Sequence, residues 1–195
     1  MTLRYENLLI FCSVAIAAWL LIIYFWPRIL LSVYRRAVVT KGFEGPIPIN
    51  TLATAPEAIF ADPLHPPASA TKLATTGVNH DTLLTAGVLD LKHGPQVLHV
   101  PEMAGRYYSV QFTAPNNTVF AYVGKRTTGT QAGEYLITGP GWKGQVPSGM
   151  KQISSPHNSI FVIGRTLVYS ESDLPTAYAL AKQIQILPFT IRQRN

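Results

Sequence analysis

The sequence predicts an α+β chain, mainly β. It reads as an antiparallel, sandwich-like sheet domain with a C-terminal helix, preceded by one N-terminal transmembrane helix. Three observations carry this reading. Leu8 to Trp26 is an apolar run whose only polar residue is Ser13. Arg106 to Thr113 alternates Tyr107, Ser109, Gln111 and Thr113 with Tyr108, Val110 and Phe112, the period of a strand with one buried face. Leu174, Ala177, Tyr178, Ala181 and Ile184 recur at three- and four-residue spacing, the stripe of an amphipathic helix.

The anchor comes first. A helix over Leu8–Trp26 spans roughly 28 Å at 1.5 Å per residue, close to the hydrocarbon thickness of a bilayer. Trp19, Tyr24, Phe25 and Trp26 gather toward its distal end, where amphipathic rings favour the lipid–water boundary. A cleaved signal peptide has a shorter apolar region and a small-residue cleavage site, whereas this run closes on Trp26-Pro27-Arg28. Beyond it, Ile29, Leu30, Val33, Tyr34, Ala37 and Val38 continue at helical spacing. They form either a second half-helix lying along the membrane after a kink at Pro27, or a plain extension of the anchor.

The formal charge of +6 resembles a nucleic-acid footprint until the charges are located. Arg28, Arg35 and Arg36 directly follow the apolar run, where each interacts with anionic headgroups by about 1 kcal/mol. No basic run interleaves with aromatics further on, so lipid rather than nucleic acid is the expected partner of this excess. Charged residues are only 13% of the chain, against about 25% in ordinary soluble domains. Arginines after the helix favour a cytoplasmic domain by themselves; a short N-terminus retained inside favours the opposite side. The single cysteine, Cys12, excludes an intramolecular disulfide and a cysteine metal site.

Three regions follow: an anchor and juxtamembrane helix over 1–40, a Pro/Gly-rich linker wrapping onto the domain over 41–76, and the β-rich domain over 77–195. Within the linker, Thr54 to Ala61 reads as a short helix, with Pro56 and Glu57 in its first turn. Strands are expected over Thr82–Leu91 and Gln96–Val100, joined as a hairpin by Lys92-His93-Gly94-Pro95. Further strands are expected over Arg106–Thr113, Thr118–Val123, Glu134–Thr138 and Ser159–Tyr169, the last with a bulge or close backbone approach at Gly164. The last helix starts near Asp173 and Pro175 and ends at Pro188.

Candidate chemistry is sparse. Gly124-Lys125-Arg126-Thr127-Thr128-Gly129 lacks the Lys-Ser/Thr that a phosphate loop needs after its second glycine. What survives is Lys125 and Arg126 beside backbone amides that can hold an anion, against a solvated hairpin loop. Trp142, in the rigid turn Gly139-Pro140-Gly141-Trp142-Lys143-Gly144, either lines a pocket or covers the sheet end. Asn79, His80 and Asp81 stand together at a strand entry, where local capping is the common role. Arg106, Arg126 and Arg165 each need a carboxylate or a bound anion where they are buried. The five histidines show no metal-ligand spacing, and no metal or other cofactor is expected.

A set of ordered blocks carries a resemblance. They are G-V-N-H-D-T-L (77–83), V-L-D-L-K-H-G-P (88–95), V-P-E-M-A-G-R-Y-Y-S-V-Q (100–111), Y-V-G-K-R-T-T-G-T (122–130), Y-L-I-T-G-P-G-W-K-G (135–144) and I-G-R-T-L-V (163–168). From Gly77 to Gln185 the chain resembles the domain-of-unknown-function family numbered 1254. The resemblance implies a β-rich module, often in exported bacterial proteins and followed by a second domain numbered 1214. Where the family usually reads N-R-D-T-L-Y, this chain has Asn79-His80-Asp81-Thr82-Leu83-Leu84. The partner domain is not in the sequence, which implies that another chain supplies it.

Two functions are weighed on these grounds. In the first, the domain is a binding or assembly module of a single-pass protein, held in lipid by Leu8–Trp26 and paired with a 1214-type partner. The family habit of export then favours the periplasmic side of a bacterial inner membrane. In the second, the domain is an enzyme on a small, anionic molecule, with His80, Asp81 and Tyr107 as catalytic candidates. Asn79, Arg106, Lys125, Arg126 and Trp142 are the ligand-binding candidates.

Overall fold

A computed structural model describes residues 2–55 and 81–190. The first element, α1 (Thr2–Thr40), is one 39-residue helix that continues through Pro27. The segment after Pro27 therefore continues the same helix and does not form a separate one. The window Asn7–Thr40 is long and apolar enough to cross a membrane. The helix stops where the amides of Lys41 and Gly42 both donate to the Ala37 carbonyl, at 2.8 and 3.1 Å. Gly42 then takes a φ of +55°, the left-handed conformation that closes helices and favours glycine.

Among the described residues nine strands follow: β1 (Ala53–Thr54), β2 (Thr82–Asp90), β3 (Gln96–Val100), β4 (Tyr108–Thr113), β5 (Val119–Gly124), β6 (Gly133–Thr138), β7 (Lys151–Ser154), β8 (Ser159–Leu167) and β9 (Gln185–Pro188). A second helix, α2 (Leu174–Gln183), lies between β8 and β9. Five strands form one sheet in the order β1-β2-β8-β4-β5, and four form another in the order β7-β6-β3-β9. All pairs are antiparallel except β6 with β7.

The two sheets pack face to face. Leu89, Val110, Phe112, Ile160 and Val162 of the first meet Leu98, Tyr135, Ile137 and Ile186 of the second in one buried cluster. Each such side chain, taken from water, contributes about 1.5–3 kcal/mol. The outer face of the five-stranded sheet is covered from the other side. Tyr34, Val38 and Val39 of α1 and Ile47 after it pack on Ala86, Val88, Phe161 and Ile163, with Tyr34 edge-on to Phe161 at 5.5 Å between ring centroids. The end of α1 thus forms a layer of the domain. The stripe of α2, Ala177 and Ala181 with Leu174 and Tyr178, seats on Leu83 and Val168.

Several sequence expectations are corrected. Lys92–Pro95 is not a hairpin turn, because β2 pairs with β1 and β8 while β3 pairs with β6 and β9. The turn carries the chain from one sheet to the other. Gly164 sits in unbroken register with Thr85 and Val110, so there is no bulge there. It is a close approach: a Cβ at Gly164 would lie 3.0 Å from that of Thr85. The final helix ends at Gln183, and the residues up to Pro188 form β9 instead. The short helix expected from Thr54 to Ala61 begins in β1, and its remainder beyond Ala55 lies outside the described residues.

Candidate functional site

At one end of the five-stranded sheet β4 begins, β5 ends and β8 ends. The chain reaches this end through a tight turn in which Ala104 and Gly105 have φ of 48° and 77°. The turn is closed by Arg106 N–H to Met103 O at 2.8 Å and anchored by Met103 N–H to Thr130 O at 2.8 Å. It delivers the side chain of Arg106 into the interior, where the residue is 7% exposed.

There Arg106 meets Asp173 in a forked pair. Nη1 donates to Oδ2 at 2.6 Å and Nη2 to Oδ1 at 2.8 Å. Nη1 also donates to the Leu167 carbonyl at 2.8 Å. Asp173 accepts the Tyr169 amide at 2.9 Å, and the Tyr169 ring lies 4.8 Å from the guanidinium carbon. Bidentate geometry of this kind is the strong form of a charged hydrogen bond. The Arg106 hydrogen bonds hold the Asp173 carboxyl down to about 2, against an ordinary 3.8. Arg106 therefore ties the end of β8 to the entry of α2, with three of its five N–H donors used within the fold. Among the expected ligand-binding residues, this one already has a carboxylate for its charge.

Lys125 and Arg126 lie at the same sheet end, in the turn after β5. Lys125 Nζ donates to the Gly105 carbonyl at 2.7 Å. The Arg126 guanidinium lies over the ring of Tyr107 at 5.5 Å, and both cationic residues are exposed. The backbone amides around them are already used. Gly124 N–H donates to Thr128 Oγ1 at 3.0 Å, Lys125 N–H to Tyr108 O at 3.1 Å, and those of Thr127 and Thr128 to Gly124 O at 3.0 and 2.8 Å. Four of the turn's amides are thus unavailable to cradle an anion. Arg165, exposed on β8, adds a third cation in register with Ser109, which itself pairs with Gly124.

Asp81 joins this end. Its carbonyl accepts the Val168 amide at 2.7 Å, while the Tyr107 carbonyl accepts the neighbouring Leu167 amide at 2.9 Å. The two residues thus flank the end of β8 on opposite sides, with Asp81 exposed and Tyr107 half-buried. Asn79 and His80 lie outside the described residues.

Trp142 does not belong to this group. Its turn follows β6 in the other sheet, and Gly139 at the turn's start packs on Leu91 and Asn158. Those two flank the Asp90–Ser159 pair, at the opposite end of the roughly 26 Å length of β8. The half-buried indole covers Gly144 so closely that a Cβ there would lie 2.3 Å from the ring. Trp142 therefore lies away from Lys125 and Arg126. What the site reasoning missed is Asp173, whose pairing with Arg106 across 67 residues leaves no local sequence signal.

The comparisons with known proteins agree with this architecture. The chain matches the family model described as "Protein of unknown function (DUF1254)" over residues 61–188. No curated protein matches it. Among solved structures it is similar to the VPA0106 protein from Vibrio parahaemolyticus, with 20% identity and a TM-score of 0.63 over 89% of this chain. The match covers 41% of that protein, so the present chain spans less than half its length. A putative uncharacterized protein from Burkholderia cenocepacia aligns at 11% identity and a TM-score of 0.40, over 61% of this chain and 31% of its own. Because the family model takes in most of the sheet sandwich and all of α2, the chain belongs to the DUF1254 family.

Proposed function

We propose that this is a single-pass membrane protein whose β-rich domain is a binding and assembly module. α1 is its anchor, and the partner is a chain carrying the complementary 1214-type domain. The observation that carries the reading is the layout at the Arg106 end. The buried cation there is neutralised by Asp173, while Lys125, Arg126 and Arg165 at the same sheet end are exposed. Exposed cations beside a neutralised pair favour an acidic protein surface, because interfacial charge chiefly sets specificity and association rate. The 41% coverage of the Vibrio protein supports the same reading, since there the shared fold is part of a much longer chain. The domain lies on the periplasmic side of a bacterial inner membrane in this proposal. Alkaline phosphatase and fluorescent-protein fusions at the C-terminus test that side. Partner capture is tested by photocrosslinking from exposed position 127 in intact membranes. A discrete adduct lost in Arg126→Glu is expected, and crosslinks to lipid alone would sink the reading.

A second reading has one observation in its favour, the placement of Asp81 and Tyr107 on either side of the β8 end. An enzyme acting on a small anionic molecule would use Asp81 and Tyr107 there, with His80 as base and Arg126 on the anion. Titrating a panel of phosphorylated small molecules while following the His80 ring by NMR tests it. No perturbation of that ring across the panel removes the enzyme.

A further inference from the structure

We propose that the groove between the end of α1 and the outer face of the five-stranded sheet binds the phosphate of an anionic phospholipid headgroup. This rests on the membrane-crossing reading of α1. The groove measures about 350 Å3 and lies between Ser32, Arg35, Arg36 and Thr40 of the helix and Pro115 and Ser159 of the sheet. That volume is within the range of small-ligand sites.

Its donors suit a phosphate. Arg35 is half-buried, and its Nη2 donates to Ser159 Oγ at 2.5 Å. A guanidinium carries five N–H donors, so among the described residues one bond to a neutral hydroxyl leaves most of them, and the charge, without a partner. The Ser159 oxygen receives that bond and keeps its own proton to give. Arg36 is adjacent and exposed, and supplies a second cation. Ser32 and Thr40 donate to the carbonyls of Ile29 and Arg36 at 2.7 and 2.8 Å, so they shape the groove without offering a proton. Among the described residues no Asp or Glu lines it. Asp90, the cross-strand partner of Ser159, accepts the Lys92 amide at 3.0 Å. The two cations and one hydroxyl donor of the groove's lining form a set that recognises phosphate.

Continuity with the bilayer selects the source of the phosphate. The apolar surface does not stop at Trp26: Ile29, Leu30 and Val33 are 52%, 57% and 58% exposed. The lipid-facing side of α1 therefore reaches within one turn of Arg35 and Arg36. The apolar run Leu8–Trp26 is roughly 28 Å long and fills a roughly 30 Å hydrocarbon layer. Arg35 and Arg36 follow about 14 Å further along α1, on the headgroup side of that layer, where the helix packs on β2 and β8.

The test uses the full chain in nanodiscs of phosphatidylcholine mixed with phosphatidylglycerol, with retained lipid counted by native mass spectrometry. Phosphatidylglycerol is expected to be retained about tenfold over its share, the worth of one charged hydrogen bond. Arg35→Gln and the fold-neutral surface change Arg36→Gln are each expected to return retention to the mixture's proportions, and Lys182→Gln, exposed on α2 away from the groove, to leave the preference intact. Equal retention of both lipids by the unaltered chain overturns the groove as a headgroup site. Displacement of phosphatidylglycerol by soluble glycerol phosphate overturns the lipid source and assigns the groove to free phosphate esters. Failure to insert into pure phosphatidylcholine overturns the membrane-crossing reading itself.

Discussion

The five-stranded sheet holds a partly sequestered arginine at each end, and the two are secured in different ways. Arg106, beside the last residues of β8, has a forked carboxylate, a carbonyl and a tyrosine ring around it. Arg35, beside the first residue of β8, has one serine hydroxyl. A charge satisfied by an opposite charge belongs to the fold, and removing either partner strands the other. A charge held only by a neutral hydroxyl keeps its field for something outside the chain. The difference separates a structural pin from a binding group more sharply than residue type or exposure does.

The contrast can be broken most forcefully at the pinned end. Arg106→Ala leaves Asp173 charged and mostly buried, and should lower unfolding free energy by about 3–5 kcal/mol in urea titration. At the same end, Gly124→Ala would push a Cβ to 2.5 Å from the Tyr108 carbonyl, and should cost about 1–3 kcal/mol by the same measurement. Acid should act there too. The folded carboxyl of Asp173 sits at about 2, below its ordinary 3.8. The pair's contribution is therefore complete above 3.8 and is lost as pH falls through 2, about 2 kcal/mol in all. An Asp173→Asn chain should lack that portion of the acid transition. At the other end, Arg35→Gln should change stability by no more than about 1 kcal/mol, since a single hydrogen bond to a hydroxyl is at stake. A cost there approaching that of Arg106→Ala would erase the distinction.

Much of the sandwich was legible because period-two alternation survives in short windows. Arg106 to Thr113 overlaps β4, Gln96–Val100 coincides with β3, and the α2 stripe gives that helix. Three strands escaped. β1 has two residues, β7 is mostly exposed Lys151-Gln152-Ile153-Ser154, and β9 follows α2 so closely that its apolar residues read as more helix. Sheet membership was not legible either, because a turn such as Lys92–Pro95 has the same composition whether it reverses a strand or switches sheets. For the site, sequence spacing brought forward Lys125, Arg126, Tyr107 and Asp81, which the fold does gather at one end. It wrongly added Trp142, whose proximity along the chain is undone when β6 runs into the second sheet. Arg35 and Arg36 read only as headgroup cations, because the docking of α1 on Phe161 and Val88 depends on tertiary packing.

The central claim is that Arg106 and Asp173 form a structural pair rather than half of a ligand site. A double-mutant cycle with Arg106→Met and Asp173→Leu, followed by urea unfolding of the full chain in detergent, measures it directly. The account predicts a coupling free energy of about 2 kcal/mol or more, with the double variant more stable than either single one. A coupling near zero, with the two single costs simply adding, would contradict it.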